Sequence, residues 1–263
     1  MHVPTSLATV IIAAVATTGC LSVAAPVDAR PSPPPSLAGG PTAGDPTATA
    51  TATSGQAIAR PDIVQRPIPY GAARRAQMAD YSRMHYGRAE WRLRPRGVVQ
   101  HYTATNSLAS VFATFRANQP DVELGQLPGV CTHFVIDRDG TVYQLVPLNV
   151  RCRHTVGLNH RMIGIEHVGT SDAAVMDNRA QRRASLELTA WLVDRFGIAT
   201  GDVIGHSENR SSRFHREDYR PWRCQTHGDF ARTTMTDYRS RLNARVARSG
   251  ADTSPPRWVS NGC

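Results

Sequence analysis

Two periods of apolar positions run through residues 70–248. Met162-Ile163-Gly164-Ile165-Glu166-His167-Val168 is a nearly unbroken apolar run, which predicts a strand buried on both faces. Val98-Val99-Gln100-His101-Tyr102 and Val203-Ile204-Gly205-His206 are shorter runs of the same kind. Residues 132–137 and 141–146 flank Arg138-Asp139-Gly140, whose Asp-Gly pair predicts the turn of a hairpin. Elsewhere the period lengthens. Leu108, Val111, Phe112 and Phe115 fall at i, i+3, i+4 and i+7 behind Ser107, a capping residue, and Pro120 ends that helix. Residues 72–86 and 180–196 predict helices stopped by Gly87 and Gly197, and a last helix over about 230–247 aligns Met235, Tyr238, Leu242 and Val246. Strands and helices interleave, so residues 70–248 predict one α/β domain with a central sheet between helices.

The first 69 residues break this pattern. Residues 8–16 form an apolar run too short to span a bilayer, which predicts an export signal over residues 1–29. Two ends compete: Val27-Asp28-Ala29 is a small-x-small cleavage site, and Thr17-Thr18-Gly19-Cys20 resembles a lipobox that would leave Cys20 as a lipid anchor. Residues 30–69 are rich in Pro, Ala and Thr and predict an extended linker, and residues 249–263 a loose tail unless Cys263 is paired. Setting Cys20 aside leaves Cys131, Cys152, Cys224 and Cys263, an even number that predicts disulfides in an exported chain. Cys131 and Cys152 flank the hairpin and are the preferred pair. Cys224 with Cys263 remains.

Net charge is +9, and all 30 basic residues are arginines. That balance favours an anionic partner. Nucleic acid would require a recognition helix or an aromatic platform, and neither stands out; charge alone does not choose among a membrane surface, a cell-wall polymer and no anionic partner. A monomer is expected.

Candidate chemistry begins at Glu166, because a carboxylate in an apolar strand is costly unless paired or bound to a metal. His101 and His206 end two strands, and His227 lies in Gln225-Thr226-His227-Gly228-Asp229. Open α/β sheets gather functional groups at such strand ends. Three neutral imidazoles and one water make an open tetrahedral zinc site. Together they predict Zn2+ chemistry with Glu166 as general base on an activated water. His133 and His167, on strands, are expected in the core, and His85, His160 and His215 on the surface.

Five stretches in order carry a resemblance: His101-Tyr102-Thr103-Ala104-Thr105, then Thr132-His133-Phe134 through Gly140-Thr141, then residues 154–159, then Ile163-Gly164-Ile165-Glu166, then Gly205-His206-Ser207-Glu208. Over about residues 95–245 the chain resembles the zinc-dependent N-acetylmuramoyl-L-alanine amidases, a family that includes phage lysozyme-type amidases and is related to the peptidoglycan recognition proteins. The resemblance implies a mixed central sheet flanked by helices, with zinc held by His101 and His206. The third ligand follows a short loop later: His227 is the first choice and Asp229 the second. Glu166 would be catalytic, with His154 and Asn159 lining the substrate groove. Thr132 and Gln225 stand where some relatives carry a Tyr and a Lys, and an Arg between residues 210 and 223 is a candidate replacement for that Lys. The implied activity is hydrolysis of the amide between N-acetylmuramic acid and L-alanine, on peptidoglycan or muropeptides outside the cytoplasm. The alternatives are a non-catalytic peptidoglycan-binding module of the same fold, or a zinc peptidase acting on stem peptides.

Overall fold

The computed structural model describes residues 55–122 and 125–263. The export signal, the lipobox at Cys20 and the linker up to residue 54 lie outside the described residues. Six strands build one sheet: β1 (Val64–Gln65), β2 (Gly97–Tyr102), β3 (Phe134–Ile136), β4 (Val142–Gln144), β5 (Met162–His167) and β6 (Val203–Gly205). Their order is β1-β4-β3-β5-β2-β6, with β3 and β4 antiparallel and the other pairs parallel. The sheet is therefore mixed.

The apolar strand β5 lies between β2 and β3, and every side chain in it but that of Glu166 is buried. Alternation along β5 and β2 sorts the side chains by face. Ile163 and Ile165, with Val98 of β2, join a core built by α4 (Arg179–Phe196) and α5 (Arg232–Val246), where Leu188, Leu192, Tyr238 and Leu242 are buried. The other face meets α1 (Ala72–Tyr86), α2 (Leu108–Ala117) and the loops between them, with Val111, Phe115, Val135 and Val168 in its core. Helix ends follow the sequence signals. Gly87 and Gly197 adopt φ of 71° and 59° after α1 and α4, a conformation glycine takes without a Cβ clash. The Ser107 hydroxyl accepts from the Ser110 amide at 3.2 Å.

One segment departs from expectation, and the tail meets the condition set by its cysteine. Composition predicts a linker over residues 55–69, yet they form a strap along the domain. The strap contributes β1, continues with Arg66 N donating to Gln144 O and Ile68 N to Leu145 O, and buries Ile68. Pro61, Pro67 and Pro69 hide its pattern, and they suit an edge because proline has no amide to leave unpaired. The tail is also tied down: Thr200 N donates to Asp252 O, Val259 N to Ser211 O, and Cys263 pairs with Cys224. Cys131 and Cys152 form the second disulfide, inside the core under α2. A short helix not anticipated from the sequence, α3 (Asp172–Asp177), precedes α4.

Candidate metal centre and active site

The register between β2 and β5 sets His101 directly beside Glu166. β6 lies on the other side of β2 and delivers His206 immediately after Gly205. Glycine is required at 205, because a Cβ there would stand 2.0 Å from the Phe230 carbonyl oxygen. The close approach lets the segment around residue 229 run against the strand end, held by Ser207 N donating to Asp229 O at 3.1 Å and Ser207 Oγ to Phe230 O at 2.8 Å. Asp172 at the start of α3 pins the far side, its carboxylate accepting from Phe230 N, Ala231 N and Thr234 Oγ1 at 2.7–2.8 Å. Phe230 holds a φ of 52°, and its ring is fully buried against His167.

Asp229 is thereby aimed between two imidazoles. His101 Nδ1 donates to Asp229 Oδ2 at 3.0 Å, and His206 Nδ1 stands 3.3 Å from Oδ1. All three side chains are buried, and one nitrogen or oxygen from each lies within 4.8 Å of the others. Burial favours the neutral forms of both acids and imidazoles. For His101 it wins over the pull of Asp229, so the pKa falls to about 4. Burial raises the Asp229 carboxyl, but hydrogen bonds from His101 and His206 outweigh it and hold the group far below the usual carboxylate range. Two imidazoles and a carboxylate result. His227 was the first choice as third ligand, but the structure gathers Asp229 instead. The His227 ring lies tilted with its centroid 4.8 Å from that of His206 and accepts from Gln225 Nε2 at 2.7 Å, outside the group of three.

Behind His101 the loop over residues 153–160 closes in. Asn159 Oδ1 accepts from the His154 and Thr155 amides, both at 2.8 Å, which fixes the turn. Gly164 makes room on β5: a Cβ there would meet His154 Cγ at 2.7 Å. His154 Nε2 donates to Met162 O, so its Nδ1 is an acceptor. That Nδ1 lies 3.2 Å from His101 Nε2, and the Thr155 hydroxyl reaches both nitrogens, at 2.9 and 3.1 Å. With the His101 proton on Nδ1, one hydroxyl proton must serve two acceptor nitrogens. If a cation took the Nδ1 lone pair, the proton would move to Nε2 and this shortage would vanish. One ligand atom from each of the three lies within 4.8 Å of the others, close enough for a single ion to be held among them. The residues fit a metal of zinc's type.

Glu166 sits next to this centre with its Oε2 buried and without a hydrogen-bond partner. Burial, reinforced by the charge of Asp229, lifts its pKa to about 8. A cavity of about 430 Å³ opens beside the centre, with His154, Asn159, His206, Gln225 and His227 among its walls. Thr132 is not among them. It is fully buried, its hydroxyl without a partner, and so cannot contact a substrate from where it stands. His85 also departs from expectation: it is fully buried between Glu217 Oε1 and Gln126 Oε1, each 2.9 Å away. His133 and His167 are core residues, bonded to Val150 O and to His101 O and Ser185 Oγ. Glu208, quoted as part of a motif, is spent on structure, receiving Gly205 N and two bonds from Arg239. Arg213 and Arg216 are paired with Asp202 and Asp218.

The family described as N-acetylmuramoyl-L-alanine amidase matches residues 91–227, just over half of the chain. No curated protein matches. Among solved structures, the endolysin N-acetylmuramoyl-L-alanine amidase LysCS from Clostridium intestinale is similar at 19% identity, covering 70% of this chain and 97% of that one, with a TM-score of 0.44. A mutant endolysin from Bacillus subtilis is similar at 20% identity over 70% and 98%, TM-score 0.40. The hydrolase AmiA of Staphylococcus aureus is similar at 15% over 56% and 66%, TM-score 0.39. At these scores the assignment rests on the sequence match, which runs from just before β2 to the loop that carries Asp229. The chain belongs to the N-acetylmuramoyl-L-alanine amidase family, amide hydrolases that act on peptidoglycan.

Proposed function

We propose that His101, His206 and Asp229 hold a zinc ion, and that Glu166 moves the proton as the amide between N-acetylmuramic acid and L-alanine is cleaved. The observation that carries this reading is the convergence of two imidazoles on one buried carboxylate, beside a strand-neighbour glutamate with an unpartnered oxygen. Zinc in such a site polarises the scissile carbonyl and makes water a nucleophile at neutral pH. Glu166 Oε2 takes the proton of the attacking water and returns it to the departing amine of L-alanine. Its buried Oε2 has no other hydrogen-bond partner among the described residues, so nothing in the protein competes for that proton. His154 and Thr155 orient His101. Gln225 and His227 lie on the cavity wall beside His206, and either would supply a donor to the oxygen that gains charge. Two disulfides and a cell-wall substrate suit an extracellular or envelope location.

The test compares the wild type with Glu166→Gln and Asp229→Ala. Metal content is read by elemental analysis, and products from peptidoglycan by mass spectrometry. Glu166→Gln is expected to keep its metal and lose about 10²–10⁴-fold in rate. Asp229→Ala is expected to lose metal and activity together. Full activity in Glu166→Gln at normal metal content refutes the assignment.

A further inference from the structure

A second cavity, of about 680 Å³, lies at the opposite end of the sheet. Its walls come from the segment preceding β2, the segment after β4 and the C-terminal turn of α4. β2 and β5 run from this end toward His101 and Glu166, a distance of about 20 Å at 3.3 Å per residue. Leu93, Pro147, Leu148 and Phe196 supply apolar surface. Arg60, Arg94 and Arg195 supply charge, and none of the three has an ion pair or side-chain hydrogen bond among the described residues. Arg60 and Arg195 are instead poised over the Trp191 ring, 5.6 and 5.4 Å from its centroid, so their guanidinium planes are already restrained.

The absence of counter-charge separates this cavity from its neighbours. In the cavity beside the metal centre Arg153 is paired with Asp121. A third cavity, which shares Arg60, sets Glu187 in an ion pair with Arg245, and a fourth sets Asp202 and Asp252 among its arginines. Three guanidiniums around an apolar floor with no carboxylate in the walls make a receptor for anions, and guanidinium binds carboxylate in a bidentate fork.

We infer that this cavity is a second binding site for peptidoglycan, which grips stem-peptide carboxylates at a distance from the bond being cut. This rests on the amidase reading, since a polymeric substrate with repeated carboxylates reaches two sites on one enzyme and gains from both. The consequence is selective: insoluble peptidoglycan engages both sites, whereas one soluble muropeptide fills only the catalytic one.

The experiment uses the full chain and sacculi stripped of phosphodiester polymers, so that carboxylates are the anions present. Pelleting with sacculi is measured for Glu166→Ala, alone and combined with Arg60→Gln, Arg94→Gln and Arg195→Gln. The three arginine changes are also made with Glu166 intact and assayed on a soluble muropeptide. The bound fraction is expected to fall at least fivefold, while the soluble rate stays within twofold. Added salt should erase most of the difference in pelleting. Equal pelleting by both proteins overturns the inference, as does a loss confined to sacculi that retain phosphodiester polymers. A soluble rate that is low even without the arginine changes indicts the amidase reading instead and leaves the pelleting result to be judged alone.

Discussion

Asp229 is useful only because other residues aim it, and the strongest of these is Asp172. Its carboxylate receives two amides and a hydroxyl from the segment that follows Asp229. Asp172→Ala removes all three bonds and is expected to cost about 2–4 kcal/mol of stability. Metal affinity should fall 10–100-fold, as is usual when a supporting partner is lost, and titration with a zinc chelator would show it. Gly205→Ala attacks the same arrangement from the strand side, where the new methyl would displace the Phe230 carbonyl. It should reproduce the loss of metal affinity, in part by disturbing the bond from Ser207 Oγ to that carbonyl. On the cavity wall the expectation differs: His227→Ala should retain its metal yet lower kcat by about a hundredfold, because it removes a donor and no ligand.

At the scale of elements, the strap over residues 55–69 makes the sharpest forecast. A chain beginning at residue 70 lacks β1 and the buried Ile68, and it should lose about 3 kcal/mol or more. A chain beginning at residue 55 retains those contacts and should melt well above the chain beginning at residue 70. Calorimetry of the two distinguishes them. The strap was illegible in the sequence because prolines interrupt its apolar period. The elements that could be read were those with a clean period and a stop signal, such as α1 before Gly87 and α4 before Gly197. Of the candidate site, His101, Glu166 and His206 stood out because each ends or interrupts an apolar strand. The choice between His227 and Asp229 was not legible, since it depends on how closely the chain passes Gly205 and where Asp172 ties it. Both are contacts across long stretches of sequence. His85 was misjudged for a related reason: its partners, Gln126 and Glu217, are remote in the chain.

The whole molecule carries a pH signature that follows from its buried histidines. Burial holds the pKa values of His133 and His167 down at about 4, against an ordinary value near 6.5. Between those limits the unfolded chain takes up protons that the folded chain refuses. Stability is therefore fully present above pH 6.5 and is lost as pH falls toward 4, by on the order of 1 kcal/mol per pH unit for each histidine. Urea midpoints measured at about pH 7 and pH 5 should fall accordingly, and replacing His133 by Asn should flatten the slope if the fold survives. The disulfides act on the other side of the equilibrium. Closing loops of 21 and 39 residues restricts the unfolded chain by roughly 3–4 kcal/mol each.

β1 has a consequence that concerns the company the protein keeps. It is only two residues long, but with Arg66 and Ile68 it occupies the amides and carbonyls along the outer side of β4. Stripped of that cover, β4 would present an open row of donors and acceptors to any passing chain, which is how strands recruit one another into aggregates. A protease that nicks the strap would therefore do more than weaken one molecule. It would expose a template, and the enzyme would leave solution by joining copies of itself.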